Sequence, residues 1–236
     1  VLPTGSVRLH QSGPVETLAG FGDGEWWVQD AAATLPARLL GDVSGLRVAD
    51  ICAAPGGKSV QLCVAGASVV SVDRSAERMK RLKENLKRLK VSAETVIADA
   101  TEWRPGTLFD AVLVDAPCTA TGTLRRHPDI ALTKSSRDVA TMVTLQKSIL
   151  ENSIRAVRPG GRLVFCTCSL QPEEGPDLIT AFLDRHHNVT VSPISPDDVC
   201  GMPDVVTPEG YLRTLPHQGQ EWGGWDGFFA ARFQVT

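Results

Sequence analysis

The chain has 236 residues, with 24 lysines and arginines against 27 aspartates and glutamates, and a formal net charge of −3. Its 42% hydrophobic and 22% charged content excludes disordered, collagen-like and coiled-coil proteins. The apolar stretches are far shorter than the ~20 residues of a membrane span, so we expect no membrane contact and a cytoplasmic protein.

The first 45 residues predict a helix and little else. Ala31 to Leu40 has a helical pattern and follows Asp30, a typical N-cap residue. We expect residues 1–45 to form a brace or lid on the domain whose core is residues 46–236. Because the chain starts at Val1, with neither an initiator methionine nor a signal peptide, we expect an excised or processed fragment.

Between residues 47 and 190, short β-branched runs alternate with helical patterns, which is typical of parallel strands joined by crossover helices. The predicted strands are Arg47 to Ile51, Ser68 to Val72, Glu94 to Ile97, Asp110 to Val114 and Arg162 to Cys166. The predicted helices are one after Lys58, Ser75 to Lys90 with Ser75 as N-cap, Ser136 to Val157 ended by Arg158-Pro159-Gly160-Gly161, and Glu173 to His186. With a last antiparallel strand over Gly227 to Val235, these elements predict an open, mostly parallel α/β sheet.

The charges are distributed unevenly along the chain. Residues 74–90 carry eight basic and two acidic side chains, a net charge of +6, whereas residues 170–236 carry −7. The basic run and the segment Arg125-Arg126-His127 favour contact with phosphate groups. The basic run also fits the solvated face of a surface helix, because Met79, Leu82 and Leu86 form an apolar stripe within it.

Six cysteines are too few for a disulfide scaffold in a chain of this length, and none forms a C-x-x-C pair. We therefore expect reduced thiols and no metal site.

Ligands of open α/β sheets bind at the carboxyl ends of the strands, where this chain has several polar residues. The loop after the first strand contains two glycines before a helix, which permits close backbone approach to a ligand. The next two strands end at Asp73, placed for a ribose diol, and at Asp99, placed for an adenine edge. Each carboxylate also fits a turn or N-cap role. The Walker A and G-x-G-x-x-G spacings are absent.

Thiols follow the fourth and fifth strands. Asp115 and Cys118 come after the fourth strand, and Cys166 and Cys168 lie at the end of the fifth. A thiol beside a carboxylate in a nucleotide-sized cleft suggests covalent catalysis, although a buried inert cysteine is the commoner case.

Three strings, Asp50 to Lys58, Asp115 to Gly122 and Thr167-Cys168-Ser169, resemble the RNA cytosine-5 methyltransferases, most closely the bacterial Sun/Fmu (RsmB-like) branch that acts on ribosomal RNA. The resemblance extends over nearly the whole chain. It takes in Val28 to Asp30, Arg125 to Ile130, Gln171 to Glu174 and Asp226 to Phe229.

The resemblance implies a Rossmann-like fold that binds S-adenosylmethionine and methylates C5 of a cytosine in RNA. From the Gly56-Gly57 loop and the carboxylates Asp73 and Asp99, we expect the cofactor to bind to a monomer without metal. The resemblance also implies Cys168 as the nucleophile that adds to C6, Asp115 as the group that holds or protonates the base, and Cys118 in product release. Lys58 would orient Asp115 or the cofactor. The implied cofactor residues are Cys52, Ala53, Ala54, Pro55, Gly56, Gly57, Lys58, Asp73, Arg78, Asp99, Ala100 and Asp115.

Four alternatives stay open from the sequence. Cys166 stands two residues before Cys168, on the same face of a strand, so spacing alone does not separate the two thiols. Transfer RNA is an alternative substrate to small-subunit ribosomal RNA. A non-catalytic RNA-binding assembly factor on this scaffold and a nicotinamide-dependent dehydrogenase are the rival functions.

Overall fold

The computed structural model describes residues 1–9 and 13–236. The strands of this part of the chain are β1 (Arg47–Ile51), β2 (Ser68–Asp73), β3 (Glu94–Ile97), β4 (Phe109–Asp115), β5 (Val157–Thr167), β6 (Val189–Val191), β7 (Leu212–Thr214) and β8 (Phe228–Val235). The α-helices are α1 (Ala31–Arg38), α2 (Gly57–Val64), α3 (Ala76–Arg88), α4 (Ile130–Thr133), α5 (Ser136–Ser153) and α6 (Pro176–Leu183).

All eight strands belong to one sheet with the order β3-β2-β1-β4-β5-β8-β6, and β7 pairs with the free part of β8. The strands from β1 to β5 pair in parallel, while β8 is antiparallel to β5, β6 and β7. The expected open sheet, Rossmann-like and mostly parallel with an antiparallel last strand, is confirmed. Its β1–β4–β5 centre brings three carboxyl ends together at one edge.

Apolar side chains cover both faces of the sheet. On one face Val112, Val114 and Phe165 pack against α5 and α6 through residues such as Leu150 and Phe182. On the other face the alternate positions of the same strands pack against α1 and α2. Since both faces are buried, the central strands are apolar at nearly every position. This is why the sequence shows them as short continuous apolar runs.

Two predicted N-caps are confirmed. Asp30 accepts a hydrogen bond from the backbone N–H of Ala32, and Ser75 accepts one from that of Arg78. Each satisfies a donor that the first turn of a helix leaves free.

The prediction for residues 154–161 was wrong. Helix α5 ends at Ser153 rather than Val157, and β5 begins at Val157 instead of Arg162. The intervening Arg158 to Gly161 form an irregularity between the pairs Phe109–Val157 and Ala111–Arg162, not a helix stop. Arg158 Nε contacts Asp110 Oδ1 at 2.6 Å across this bulge. The proline and glycines therefore bend a strand rather than end a helix.

The helix expected over Glu173 to His186 is also shorter. A 3₁₀ turn covers Pro172–Glu174, and α6 runs only from Pro176 to Leu183. Gly175 interrupts the two pieces, and Pro176 takes the first helical position, where its missing N–H costs nothing.

The sequence did not predict β6 and β7. Each is three residues long and pairs with β8, so its conformation depends on a long-range partner. Among the described residues, no helix combines the length and apolar character needed to cross a membrane.

The N-terminal segment contacts distant parts of the chain. Arg38 donates to Thr4 O at 2.6 Å, and Arg8 Nη2 donates to Gly224 O at 2.5 Å. The division into a brace of residues 1–45 and a core of residues 46–236 stays a prediction, and residues 10–12 of that brace lie outside the described residues.

Candidate active site

The loop after β1 is built for close approach of a ligand. Cys52 has a φ of 62° and Gly56 a φ of 105°, both in the left-handed region, and Gly57 opens α2. A Cβ at Gly56 would lie 2.9 Å from Leu82 Cγ, so only glycine fits there. The path of the loop leaves its backbone next to the start of α2, where N–H groups favour anionic or polar ligand atoms.

Asp73 is buried beneath this loop. Its Oδ2 accepts from Ala54 N–H at 3.1 Å, its Oδ1 accepts from Ser75 N–H at 2.9 Å, and Arg78 Nη1 lies 3.5 Å from Oδ2. The side chain is 2% exposed. Asp73 thus ties the loop to the start of α3, in addition to the ribose contact predicted for it. Arg78 also donates to Ala54 O.

Asp99 follows β3 and is exposed, with Ala100 buried beside it. Its Oδ1 accepts from Thr101 N–H at 2.8 Å and from Thr101 Oγ1 at 2.7 Å. These hydrogen bonds lower the pKa of Asp99, so the side chain is an ionised acceptor at neutral pH.

Lys58 and Asp115 form a close pair between the first and fourth strand ends. Lys58 Nζ donates to Asp115 Oδ2 at 2.8 Å, and it lies 5.2 Å from the centre of the Phe228 ring. Burial, the largest single cause, lowers the pKa of Lys58, but the attraction and hydrogen bond of Asp115 together with the other nearby acidic groups outweigh it, and the net change is a rise. Lys58 is therefore charged and lies in contact with Asp115, and its orienting role stays a prediction.

The structure brings Cys118 and Cys168 together. Their Sγ atoms are 3.5 Å apart, and both side chains are partly exposed. The hydrogen bond with Cys168, followed by burial, raises the pKa of Cys118 well above its ordinary range. Cys118 is therefore held as a thiol at neutral pH, and the thiols that follow the fourth and fifth strands are in contact.

Cys166 occupies a different place. It has no exposed surface, and its Sγ donates to Asp115 Oδ1 at 3.4 Å. Burial, then the charge of Asp115, raises the pKa of Cys166 well above its ordinary range. A thiol with no exposed surface and a suppressed thiolate does not attack a base, so these observations argue against Cys166 as the nucleophile.

A buried carboxylate that sequence reasoning passed over, Asp50, lies at the start of the segment that leads into the loop after β1. Asp50 Oδ2 accepts from Ser59 Oγ at 2.5 Å, Ser59 Oγ accepts from Ser71 Oγ at 2.8 Å, and Asp50 Oδ1 has no partner among the described residues. Burial raises the pKa of Asp50 to about 7. Asp50 is the first residue of the Asp50 to Lys58 string, and this was the only sign in the sequence that it lies near the site. The sequence does not show how deeply its side chain is buried.

Asp50→Asn should remove a pH dependence of stability. The folded protein keeps a proton on Asp50 that the unfolded chain loses above about pH 4. Stability from this group is thus complete at low pH and lost as pH rises toward 7, by up to about 1.4 kcal/mol per pH unit. Denaturant unfolding from pH 4 to 8 should show this loss in the wild type relative to Asp50→Asn. Parallel profiles would contradict it.

Arg125 and Arg126, expected to hold phosphates, are paired with carboxylates. Arg126 Nε donates to both oxygens of Asp226, at 3.1 and 3.0 Å. Arg125 Nη2 lies 3.4 Å from Asp226 Oδ1 and 3.4 Å from Asp30 Oδ2. Asp226 is 1% exposed. Replacing these arginines with acidic residues would leave the buried Asp226 carboxylate without its positive partners. The RNA affinity of such a variant would therefore reflect a disturbed structure as well as lost RNA contacts.

Comparison with known proteins adds three observations. A family model described as 16S rRNA methyltransferase RsmB/F matches residues 37–234. The Ribosomal RNA small subunit methyltransferase B of Pseudomonas syringae pv. tomato is 42% identical over 232 residues, covering 96% of this chain and 51% of that protein. The crystal structure of NSun6 from Pyrococcus horikoshii with SFG superimposes with a TM-score of 0.80 at 26% identity, covering 95% of this chain and 56% of that one.

The protein of the same name from Klebsiella pneumoniae (strain 342) is 40% identical over 236 residues, again with 51% of its length covered. This chain therefore spans about half the length of the curated relatives it matches. The family match itself takes in most of the chain, from the end of α1 to β8. By this match, the chain belongs to the RsmB/F family of 16S rRNA methyltransferases.

Proposed function

We propose that this chain transfers a methyl group from S-adenosylmethionine to C5 of a cytosine in small-subunit ribosomal RNA, through a covalent bond between Cys168 and C6. The observation that carries the proposal is the grouping of Cys118, Cys168 and the Lys58–Asp115 pair at adjacent strand ends. The thiol pair supplies a nucleophile and a second sulfur beside it, and a hydride-transfer site has no use for either.

Cys168 would add as a thiolate to C6 of the cytosine, which breaks the C5–C6 double bond and makes C5 nucleophilic. Asp115, held by Lys58, would accept a hydrogen bond from the exocyclic amine and fix the ring during this attack. Because Lys58 is almost completely buried, the pair provides a fixed charge arrangement rather than a flexible one.

The residues around the β1 loop fit the cofactor. A nucleoside with an amino-acid tail requires hydrogen-bond donors, acceptors and room for close approach. Gly56 leaves room beside the backbone, the start of α2 provides N–H donors, and the carboxylates of Asp73 and Asp99 provide acceptors. Bound S-adenosylmethionine supplies the electrophilic sulfonium methyl group that C5 takes up.

Cys118 would act after methylation. Its hydrogen bond with Cys168 is the largest cause of its raised pKa. Once Cys168 is bonded to carbon, it no longer carries a thiol proton or a thiolate charge, so the cause of the raised pKa of Cys118 is removed. Cys118 can then release its own proton to solvent and accept the C5 proton as a thiolate. Loss of the C5 proton then expels Cys168 from C6 by β-elimination. The contact at 3.5 Å therefore supports separate roles for the two thiols.

The proposed reaction and substrate can be tested together. The chain is incubated with S-adenosylmethionine and either deproteinised small-subunit ribosomal RNA or transfer RNA, and the products are mapped by bisulfite sequencing. We expect protected cytosines in the ribosomal RNA. Protection of cytosines in transfer RNA alone would show that transfer RNA, not ribosomal RNA, is the substrate. Methyl incorporation without bisulfite protection would overturn the C5 assignment.

Asp73→Ala should weaken S-adenosylmethionine binding by about fivefold or more, the equivalent of about 1 kcal/mol for a lost hydrogen bond to a charged acceptor. Glu77→Ala, an exposed carboxylate one turn further on, is the control and should leave the affinity unchanged. Calorimetry with a 2′-deoxyribose analogue separates a ribose contact from the loop contact. If wild type and Asp73→Ala discriminate equally against the analogue, Asp73 does not bind the ribose.

RNA binding is expected to use the exposed face of α3. Lys80 and Lys83 are exposed there, whereas Arg88 donates to Phe21 O and Trp26 O and is not free for phosphate. Lys80→Glu with Lys83→Glu should weaken RNA binding and reduce the slope of log affinity against log salt by about 0.7 per lost contact.

The matched control is Lys147→Glu with Arg155→Glu, which makes the same charge change. Both residues are exposed, and Arg155 lies just before β5, at the amino-end edge of the parallel strands. Filter binding at two salt concentrations should separate the two double variants. Equal losses would mean that only net charge matters, and no loss would place the RNA elsewhere.

A further inference from the structure

Glu174, in the segment after the second thiol, has no role in the site described so far. Its side chain is completely buried, although it follows the exposed Glu173. Within residues 1–9 and 13–236, no lysine, arginine or histidine forms an ion pair with it. Burying a carboxylate without a cation is costly unless its oxygens are hydrogen-bonded, so its partners are informative.

The carboxylate of Glu174 bonds to the residues next to both thiols. Oε1 accepts from Thr119 N–H at 2.9 Å, and Oε2 accepts from Thr119 Oγ1 and from Ser169 Oγ, the latter at 2.5 Å. Thr119 directly follows Cys118, and Ser169 directly follows Cys168. One side chain thus joins the two loops one residue away from each sulfur.

A third element completes the arrangement. Gln146 of α5 donates its Nε2 to Glu174 Oε1 at 2.9 Å and to Pro117 O at 2.8 Å, and Thr167 Oγ1 donates to Glu174 O at 3.1 Å. The four donors to the carboxylate come from three separate segments of the chain. A purely apolar filling of this space would pack as well, but it would not fix the relative position of the loops.

We infer that Glu174 is a positioning residue for the methyl transfer, which holds Cys118 and Cys168 in contact by tying Thr119 and Ser169 to one carboxylate. The inference rests on the proposed function. The carboxylate touches neither sulfur, and it acts through the two neighbouring residues. Ser169 and Thr119 give it hydrogen-bond donors, whereas an alanine at position 174 would leave these donors without their acceptor.

The test measures the contact between the thiols directly, without RNA. Diamide oxidises two nearby thiols to a disulfide, and its N=N group takes up the two electrons and two protons that the thiols release. The sulfurs at 3.5 Å need to approach by only about 1.5 Å to reach disulfide length. Peptide mapping by mass spectrometry follows the Cys118–Cys168 disulfide specifically, since other cysteines are present.

Glu174→Ala should slow formation of this disulfide by about tenfold, and Glu174→Gln by less, because an amide can keep some of the hydrogen bonds. Glu173→Ala is the matched control and should react as the wild type does. A residue that only stabilises the fold would lower the melting temperature without changing this rate in the folded protein. Cofactor affinity within about twofold of wild type confirms that the variants are folded.

If Glu174→Ala does not fold, Thr119→Val and Thr119→Ser replace it. The valine removes one donor to the carboxylate and should slow disulfide formation, and the serine keeps the hydroxyl and should restore the wild-type rate. Equal rates for Thr119→Val and Thr119→Ser would overturn the inference in that case.

Single-turnover methyl transfer gives the second readout. Glu174→Ala should lower the rate by about tenfold or more, with the Kd for S-adenosylmethionine little changed. A wild-type rate of disulfide formation in folded Glu174→Ala overturns the inference, whatever its activity. If the wild type methylates no RNA, the proposed function fails, but the disulfide rates still decide whether Glu174 positions the thiols.

Discussion

Cys168→Ala is expected to lose methyl transfer by on the order of 10⁴-fold, the largest effect of any single substitution in this chain. Without the thiolate no bond forms to C6, and C5 of cytosine stays a poor nucleophile even when cofactor and RNA are bound. Transfer of a labelled methyl group from S-adenosylmethionine to RNA measures the loss. Cofactor affinity, measured by calorimetry, should be unchanged, because Cys168 follows β5, whereas the loop proposed to bind the cofactor follows β1.

Cys63→Ala provides the control for Cys168→Ala. Cys63 is partly exposed in α2 and its Sγ donates to Ser92 O, away from the thiol pair. It should keep full activity. Retained activity in Cys168→Ala together with loss in Cys166→Ala would move the nucleophile to Cys166, in spite of its burial.

Cys118→Ala is expected to have the opposite signature and accumulate protein bound covalently to RNA. Cys168 can still add to C6 and C5 can still be methylated, but the neighbouring sulfur that would accept a proton is missing. The adduct should appear as a band of lower mobility on a denaturing gel, in most of the protein at saturating RNA and cofactor. Wild type should show little of it, because release follows addition.

The double variant Cys118→Ala with Cys168→Ala decides which sulfur carries the RNA. It should give no adduct, since the proposed attachment site is gone. An adduct in Cys168→Ala but not in Cys118→Ala would reverse the roles of the two thiols.

The parallel strands were predictable because each is buried on both faces, so a short apolar run marks it regardless of its partner. The bounds of β1 and β3 agree with the prediction to the residue. The paired strand-end residues followed from topology alone: parallel strands place Asp115 and the thiols at one edge. By contrast, β6 and β7 exist only through pairing with β8, and no local pattern marks them.

The polar contacts that organise the site were not predictable from the sequence. Arg126 pairs with Asp226, a hundred residues away in the chain, and the same Arg-Arg pair looked free for phosphate when only its neighbours were considered. Asp73 and Asp50 are both acidic residues in or at the end of a strand, yet their environments differ. Burial and partners determine what a carboxylate does, and both depend on the folded structure.

The place of β8 inside the sheet determines when the sheet beside the two thiols can be completed during synthesis. This strand comes last in the chain, yet it separates β5 from β6, so β5 is an unpaired edge until residues 228–235 have been made. The turn before β8 contacts the loops that carry Cys118 and Cys168. Gly227 N–H donates to Gly122 O at 2.8 Å, and Gly122 N–H donates to Cys168 O at 2.9 Å. A nascent chain that already contains both thiols therefore still lacks the contact between Gly227 and Gly122 and the antiparallel neighbour of β5, and both form only when the C-terminal strand is inserted.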